Sequence, residues 1–172
     1  MRELSPQLSV SYSELELPLN APPSEEELLE IIESTETAGY QKRWAVNMIA
    51  KHQKNESFIS SYPYPLQVWQ MGDQTIINMG GEVVVGYANK LKQIFGQETF
   101  VVGYSNDVMA YIPTHTILEE GGYEGYVSQM VYGLPNTWQS GIESMIIGEV
   151  EKLAGQAGVP ERIISLGPAG AE

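Results

Sequence analysis

The chain has 172 residues, 42% hydrophobic with ten tyrosines, enough apolar content for one ordinary core and too much for a disordered tail. A formal net charge of −13 without any basic run argues against nucleic-acid binding and against a polybasic membrane anchor. With no cysteine, disulfides, thiolate metal sites and a thiol nucleophile are excluded, and no apolar run approaches the roughly 20 residues that span a bilayer.

The first residues, MRELSPQLSV, show no signal-peptide core. Leu8, Val10 and Tyr12, then Leu15, Leu17 and Leu19, recur with a period of two, which predicts a long or bent strand with one buried face. A turn at residues 20–23 precedes Ser24, and Glu27 three positions on completes a capping-box pattern whose acidic first turn complements the helix dipole. A second helix over residues 38–54 places Tyr40, Trp44, Met48 and Ile49 on one stripe, read as core, and leaves His52 as a solvated histidine in its polar tail.

Tyr62-Pro63-Tyr64-Pro65 reads as a rigid lead-in, neither helix nor central strand, because its prolines lack donors and extend the residues before them. Two strands, residues 66–71 and 74–79, flank Gly72-Asp73 as a tight hairpin. Gly80 and Gly81 break the second strand, and Glu82 opens a helix along which Val84, Tyr87, Ala88, Leu91 and Phe95 recur until Gly96. A strand over residues 99–104, a turn at Ser105, Asn106 and Asp107, and an extended run over 108–112 follow, ending at Pro113. Thr137 caps a last helix carrying Trp138, Ile142, Met145, Ile146, Val150 and Leu153 and closing near Gly155; residues 165–172 read as a frayed tail. The expected fold is an α/β layered sheet with flanking helices. In it the strands near 66–79 and 99–112 share a sheet under the Glu82 and Thr137 helices, and residues 1–172 form a single unit without repeats.

Three blocks in this order, GGEVVVGYANKLK, VVGYSNDVMAYIPT and EEGGYEG, resemble the C-terminal half of the catalytic domain of the neutral/alkaline, non-lysosomal ceramidases, especially bacterial ones. The likeness is clearest from Tyr62 to Tyr132. It implies a portion of a larger catalytic domain, secreted or periplasmic, in an enzyme that hydrolyses the N-acyl amide of ceramide at a single zinc. By the same resemblance Glu82 and Tyr111 match zinc ligands, and Tyr123, beside Glu124, matches the tyrosine that holds the amide carbonyl. The two zinc-binding histidines belong to an N-terminal half that these 172 residues do not include. The implied chemistry is metal-assisted amide hydrolysis, in which water made acidic at the metal attacks the carbonyl and hydrogen-bond donors stabilise the oxyanion.

Without the resemblance, a glutamate opening a helix serves the dipole, and a tyrosine in an extended apolar run packs in the core. Only the family likeness turns Glu82, Tyr111 and Tyr123 into site residues. His115, the one histidine near these blocks, is left out, since it cannot supply the required pair. Two further function classes stand beside the ceramidase-like one: a structural or regulatory piece that binds no metal, and an amidohydrolase for another N-acyl amide.

Overall fold

The computed structural model describes residues 3–160; the expectations for residues 161–172 lie outside them. Strand β1 (Leu8–Pro18) pairs antiparallel with β2 (Ser61–Met71), β2 antiparallel with β3 (Gln74–Met79), and β3 in parallel with β5 (Phe100–Val102), giving a four-stranded sheet in the order β1-β2-β3-β5. A separate two-stranded parallel ladder joins β4 (Glu82–Val83) to β6 (Tyr111–Ile112). The helices are α1 (Glu25–Glu33), α2 (Gly39–Gln53), α3 (Val85–Phe95), α4 (His115–Glu120), α5 (Ser128–Val131) and α6 (Ile142–Ala157), with a π-helical turn at Tyr123–Val127. The result is the expected α/β class: a sheet with flanking helices.

One face of the sheet carries the core. Leu17, Leu66, Val68, Ile77 and Met79 point to it and meet Tyr87 and Leu91 of α3 and Ile142, Ile146, Val150 and Leu153 of α6. Each fully buried aliphatic side chain here contributes roughly 1.5–3 kcal/mol of transfer free energy. Helix α6 also ties directly to β1, since Ser11 Oγ donates to the Leu153 carbonyl at 2.7 Å. A second cluster joins Leu28 of α1 to Trp44, Ala45 and Met48 of α2 and Met130 of α5, and Trp44 Nε1 donates to the Leu134 carbonyl at 2.8 Å. Ser24 and Glu27 form the expected reciprocal cap of α1.

The opposite sheet face is open and apolar. Leu8 pairs with Met71, Val10 with Trp69, Trp69 with Ile76 and Ile76 with Phe100, and all but half-buried Ile76 are exposed. This corrects the single buried face expected of β1. Leu8, Val10 and Tyr12 occupy even positions and Leu15, Leu17 and Leu19 odd ones, so the two triplets lie on opposite faces of one strand.

Five other expectations are corrected. Tyr62 to Pro65 is not a lead-in but the start of β2. Pro65 fits because its carbonyl turns away from β1, to accept from Gly80 N at 3.2 Å, so no donor toward β1 is lost, and the Gly80 carbonyl that proline cannot serve accepts the Tyr64 hydroxyl at 2.9 Å. Glu82 does not open a helix. It lies in β4, its N–H donating to the Ala110 carbonyl at 2.8 Å, and α3 begins at Val85. Of residues 108–112 only Tyr111 and Ile112 form a strand, and they pair with β4 outside the main sheet. The last helix begins at Ile142 with Gly141 as its cap, because Trp138 is held in a bridge to Leu19, and it ends at left-handed Gly158. His52 is likewise not simply solvated: Nε2 lies 3.1 Å from the Pro23 carbonyl and its ring packs on Phe58.

Glu143, buried on the first turn of α6, joins three helices by pairing with Lys90 of α3 and accepting from His115 N at the start of α4 at 2.8 Å. Burial by itself pushes its carboxyl up, but Lys90 and the His115 N–H outweigh that and hold it below the ordinary value of 4.5. Because the folded-state value is depressed, its contribution is present in full above the unfolded value and is lost as pH falls through the folded one. Glu143→Gln is expected to cost about 1.5–3 kcal/mol in denaturant unfolding at pH 7. The difference from wild type should shrink below pH 4.5.

Candidate active site

The site is built where β3 ends. Gly80 passes over the Tyr64–Pro65 pair, and the Tyr64 hydroxyl donates to the Gly80 carbonyl at 2.9 Å. Gly81 then turns the chain at φ +68°, with its N–H on the Asp107 carbonyl at 2.9 Å. A Cβ at Gly81 would lie 2.8 Å from the Met109 carbonyl oxygen and 2.9 Å from that of Ala110, so only glycine lets β4 meet the returning segment. From this turn Glu82 and Tyr111 emerge as directly paired neighbours on two parallel strands.

The returning loop is held by Asp107, whose Oδ1 accepts from Val108 N at 2.7 Å and Met109 N at 3.1 Å, while Oδ2 takes the Tyr62 hydroxyl at 2.8 Å. That contact, with burial first, raises the Tyr62 phenol to about 12. Tyr104, Asn106 and Ala110 all adopt positive φ, at 54°, 66° and 60°. Strained backbone of this kind persists where surrounding contacts over-determine it, as here. The Tyr111 carbonyl accepts from Trp138 Nε1 at 2.9 Å and Gln129 Nε2 at 3.4 Å, which fixes β6 against α5 and the segment before α6.

Three tyrosines, Tyr104, Tyr111 and Tyr132, stand near the Glu82 carboxylate, and Tyr123 stands beside Tyr111. Interaction with that carboxylate is the first cause of the upward shift of the Tyr111 and Tyr104 phenols. Tyr132 lies in the field of the same carboxylate and of Tyr123, though burial is the larger reason its phenol is raised. The Tyr123 ring meets the Tyr111 ring edge-on, centroids 5.7 Å apart. Tyr123 opens the π-helical turn after Gly121 and Gly122, both at positive φ, and is half exposed. That turn packs tightly on α4, for a Cβ at Gly125 would lie 2.3 Å from the Ile117 carbonyl oxygen.

Glu82, Tyr111 and Tyr123, all picked out from the sequence, therefore share one spot, and His115 is engaged elsewhere, with Nε2 3.3 Å from Glu119 Oε1. Tyr104 and Tyr132 were missed. Tyr104 carried a signal, a tyrosine between Gly103 and the turn residues Ser105 and Asn106; Tyr132 carried none. The arrangement offers one carboxylate acceptor and several phenol donors. Held against a zinc shell, Glu82 and Tyr111 would offer two oxygen donors, short of the usual three or four protein donors. Among the described residues no group of three or more His, Cys, Asp or Glu side chains converges.

Gly81→Ala is expected to destabilise the fold by about 1–3 kcal/mol, measured by denaturant unfolding, because two backbone carbonyls must retreat and a left-handed conformation is forced on alanine. Gly133→Ala, also at positive φ but with open space around it, should cost less.

No protein-family profile matches the chain, and no curated protein sequence does. Among solved structures it is similar to the neutral ceramidase from Pseudomonas aeruginosa, with a TM-score of 0.41 and 12% identity, over 95% of this chain and 30% of that one. The chain thus spans under a third of that protein's length.

Proposed function

We propose that this chain is part of a zinc-dependent hydrolase of N-acyl amides, with ceramide the substrate favoured by the sequence blocks and Glu82 and Tyr111 as two of the metal ligands. The observation that carries this reading is the direct pairing of Glu82 with Tyr111 on parallel strands, with Tyr123 packed against Tyr111. The remaining two ligands are histidines of an N-terminal half of the same domain. The open apolar sheet face supports such a partner, because an exposed contiguous surface of Leu8, Val10, Trp69, Met71 and Phe100 is the kind that another layer covers.

When bound, zinc would acidify a water and polarise the scissile carbonyl. The chain's own residues do the rest. Glu82 and Tyr111 supply oxygen donors from a backbone fixed by Gly81 and Trp138. Tyr123, half exposed beside them, donates its hydroxyl to the amide carbonyl oxygen and follows it as negative charge develops.

The isolated chain is expected to bind zinc weakly and to leave a short fluorescent ceramide uncut. In the longer enzyme, Glu82→Gln or Tyr111→Phe should lower zinc occupancy, whereas Tyr123→Phe should keep the metal and slow turnover by about 10²–10³. Full zinc content and full ceramide hydrolysis after Glu82→Gln would contradict the proposal. Faster cleavage of another N-acyl amide than of ceramide would move the substrate and leave the metal site standing.

A further inference from the structure

Helix α2 is the cationic side of an acidic chain. Four of the nine Lys and Arg residues, Lys42, Arg43, Lys51 and Lys54, lie in it or cap it, and it holds no Asp or Glu, although the whole chain carries a net charge of −13. Arg43, Asn47, Lys51 and Lys54 recur every three or four positions and so form one stripe along the helix. That stripe borders a groove of about 660 Å³ between α2 and the end of α5, a volume within the roughly 300–1,000 Å³ of small-molecule pockets. Its floor is Trp44, Met48 and Met130, all buried, and Trp44 is fixed by its bond to the Leu134 carbonyl. Val131, 56% exposed, adds an apolar wall.

Local roles do not account for these cations. Lys51 and Lys54 suit the negative end of the helix, but Arg43, near the positive end, gains nothing from the dipole. Lys54 has a carboxylate neighbour in Glu56, the one acid lining the groove, yet Nζ and Oε1 are 3.9 Å apart and both side chains are exposed, a pair of little strength. Among the described residues no ion pair engages Arg43 or Lys51, and the Lys51 ammonium stands 5.9 Å from the Phe58 ring centroid.

We propose that this groove binds a single small organic anion, an acidic head on an apolar body. Arg43 and Lys51 take the head, and the body lies along Val131 over the Trp44, Met48 and Met130 floor. About 12 Å of helix axis separates the two cations, a span that two long side chains close around one head. The charge of the chain limits the ligand's size. A nucleic acid or an anionic membrane surface would reach past the groove to acidic ground such as Glu25, Glu26 and Glu27 on neighbouring α1, whereas a small anion meets only the stripe. The site is independent of Glu82 and of the zinc reading.

The test adds octanoate, octyl phosphate, inorganic phosphate or octanol to the 172-residue chain, each below the concentration at which it aggregates, and follows the backbone amides of α2 and α5 by NMR. At least one of the two octyl anions should give saturable shifts at Arg43, Asn47, Lys51 and Val131 and bind more tightly than inorganic phosphate or octanol; the tighter of the two identifies the head. Arg43→Gln and Lys51→Gln, both at exposed positions, should keep the wild-type Tm and each weaken that binding about 5-fold. Lys42→Gln, on the same helix but outside the groove, should leave it unchanged. Octanol binding as tightly as the octyl anions removes the role of charge, and inorganic phosphate binding as tightly removes the apolar body. Either result overturns the proposal, as does the absence of saturable shifts with both octyl anions or an equal loss in Lys42→Gln.

Discussion

The short parallel pairing of Glu82-Val83 with Tyr111-Ile112 is the constraint on which the rest of the site depends. Two residues per strand make a weak ladder by themselves, so it persists because its surroundings leave no alternative. Gly81 admits the returning chain at contact distance, and Asp107 and Tyr62 lock the loop before it. Trp138 and Gln129 take the carbonyl of Tyr111, and buried Ile112 joins the core with α3 and α6. Core packing on one side of the sheet is thereby converted into the placement of one carboxylate and one phenol at its end.

The same logic explains why half of the sheet is left apolar and open. The chain directs its large aliphatic residues to α3 and α6 on one face, yet β1, β2 and β5 carry a second apolar set on the other. A free-standing surface of that kind works against solubility, which the chain's net charge of −13 offsets.

Much of the fold was legible because local chemistry dictates it. The Ser24–Glu27 cap, the Gly72-Asp73 hairpin and the buried stripe of Tyr87, Leu91 and Phe95 each depend on residues close in sequence. What was not legible depends on register. Whether Pro63 and Pro65 spoil a strand is decided by which way their nitrogens face, and whether Leu8 and Leu17 share a face by parity along one strand. Glu82 looked like a helix start because nothing local announces a partner 29 positions away, and Tyr104 joins it only through a left-handed turn. Glu82, Tyr111 and Tyr123 came from family likeness, and their convergence from three-dimensional pairing.

The most direct measurement is anomalous diffraction at the zinc edge from crystals of this chain soaked in zinc. The account predicts a peak about 2.0–2.2 Å from an oxygen of Glu82 and from the Tyr111 hydroxyl. Zinc found only on surface carboxylates such as Glu25 and Glu26, with none between the paired Glu82 and Tyr111, would contradict it.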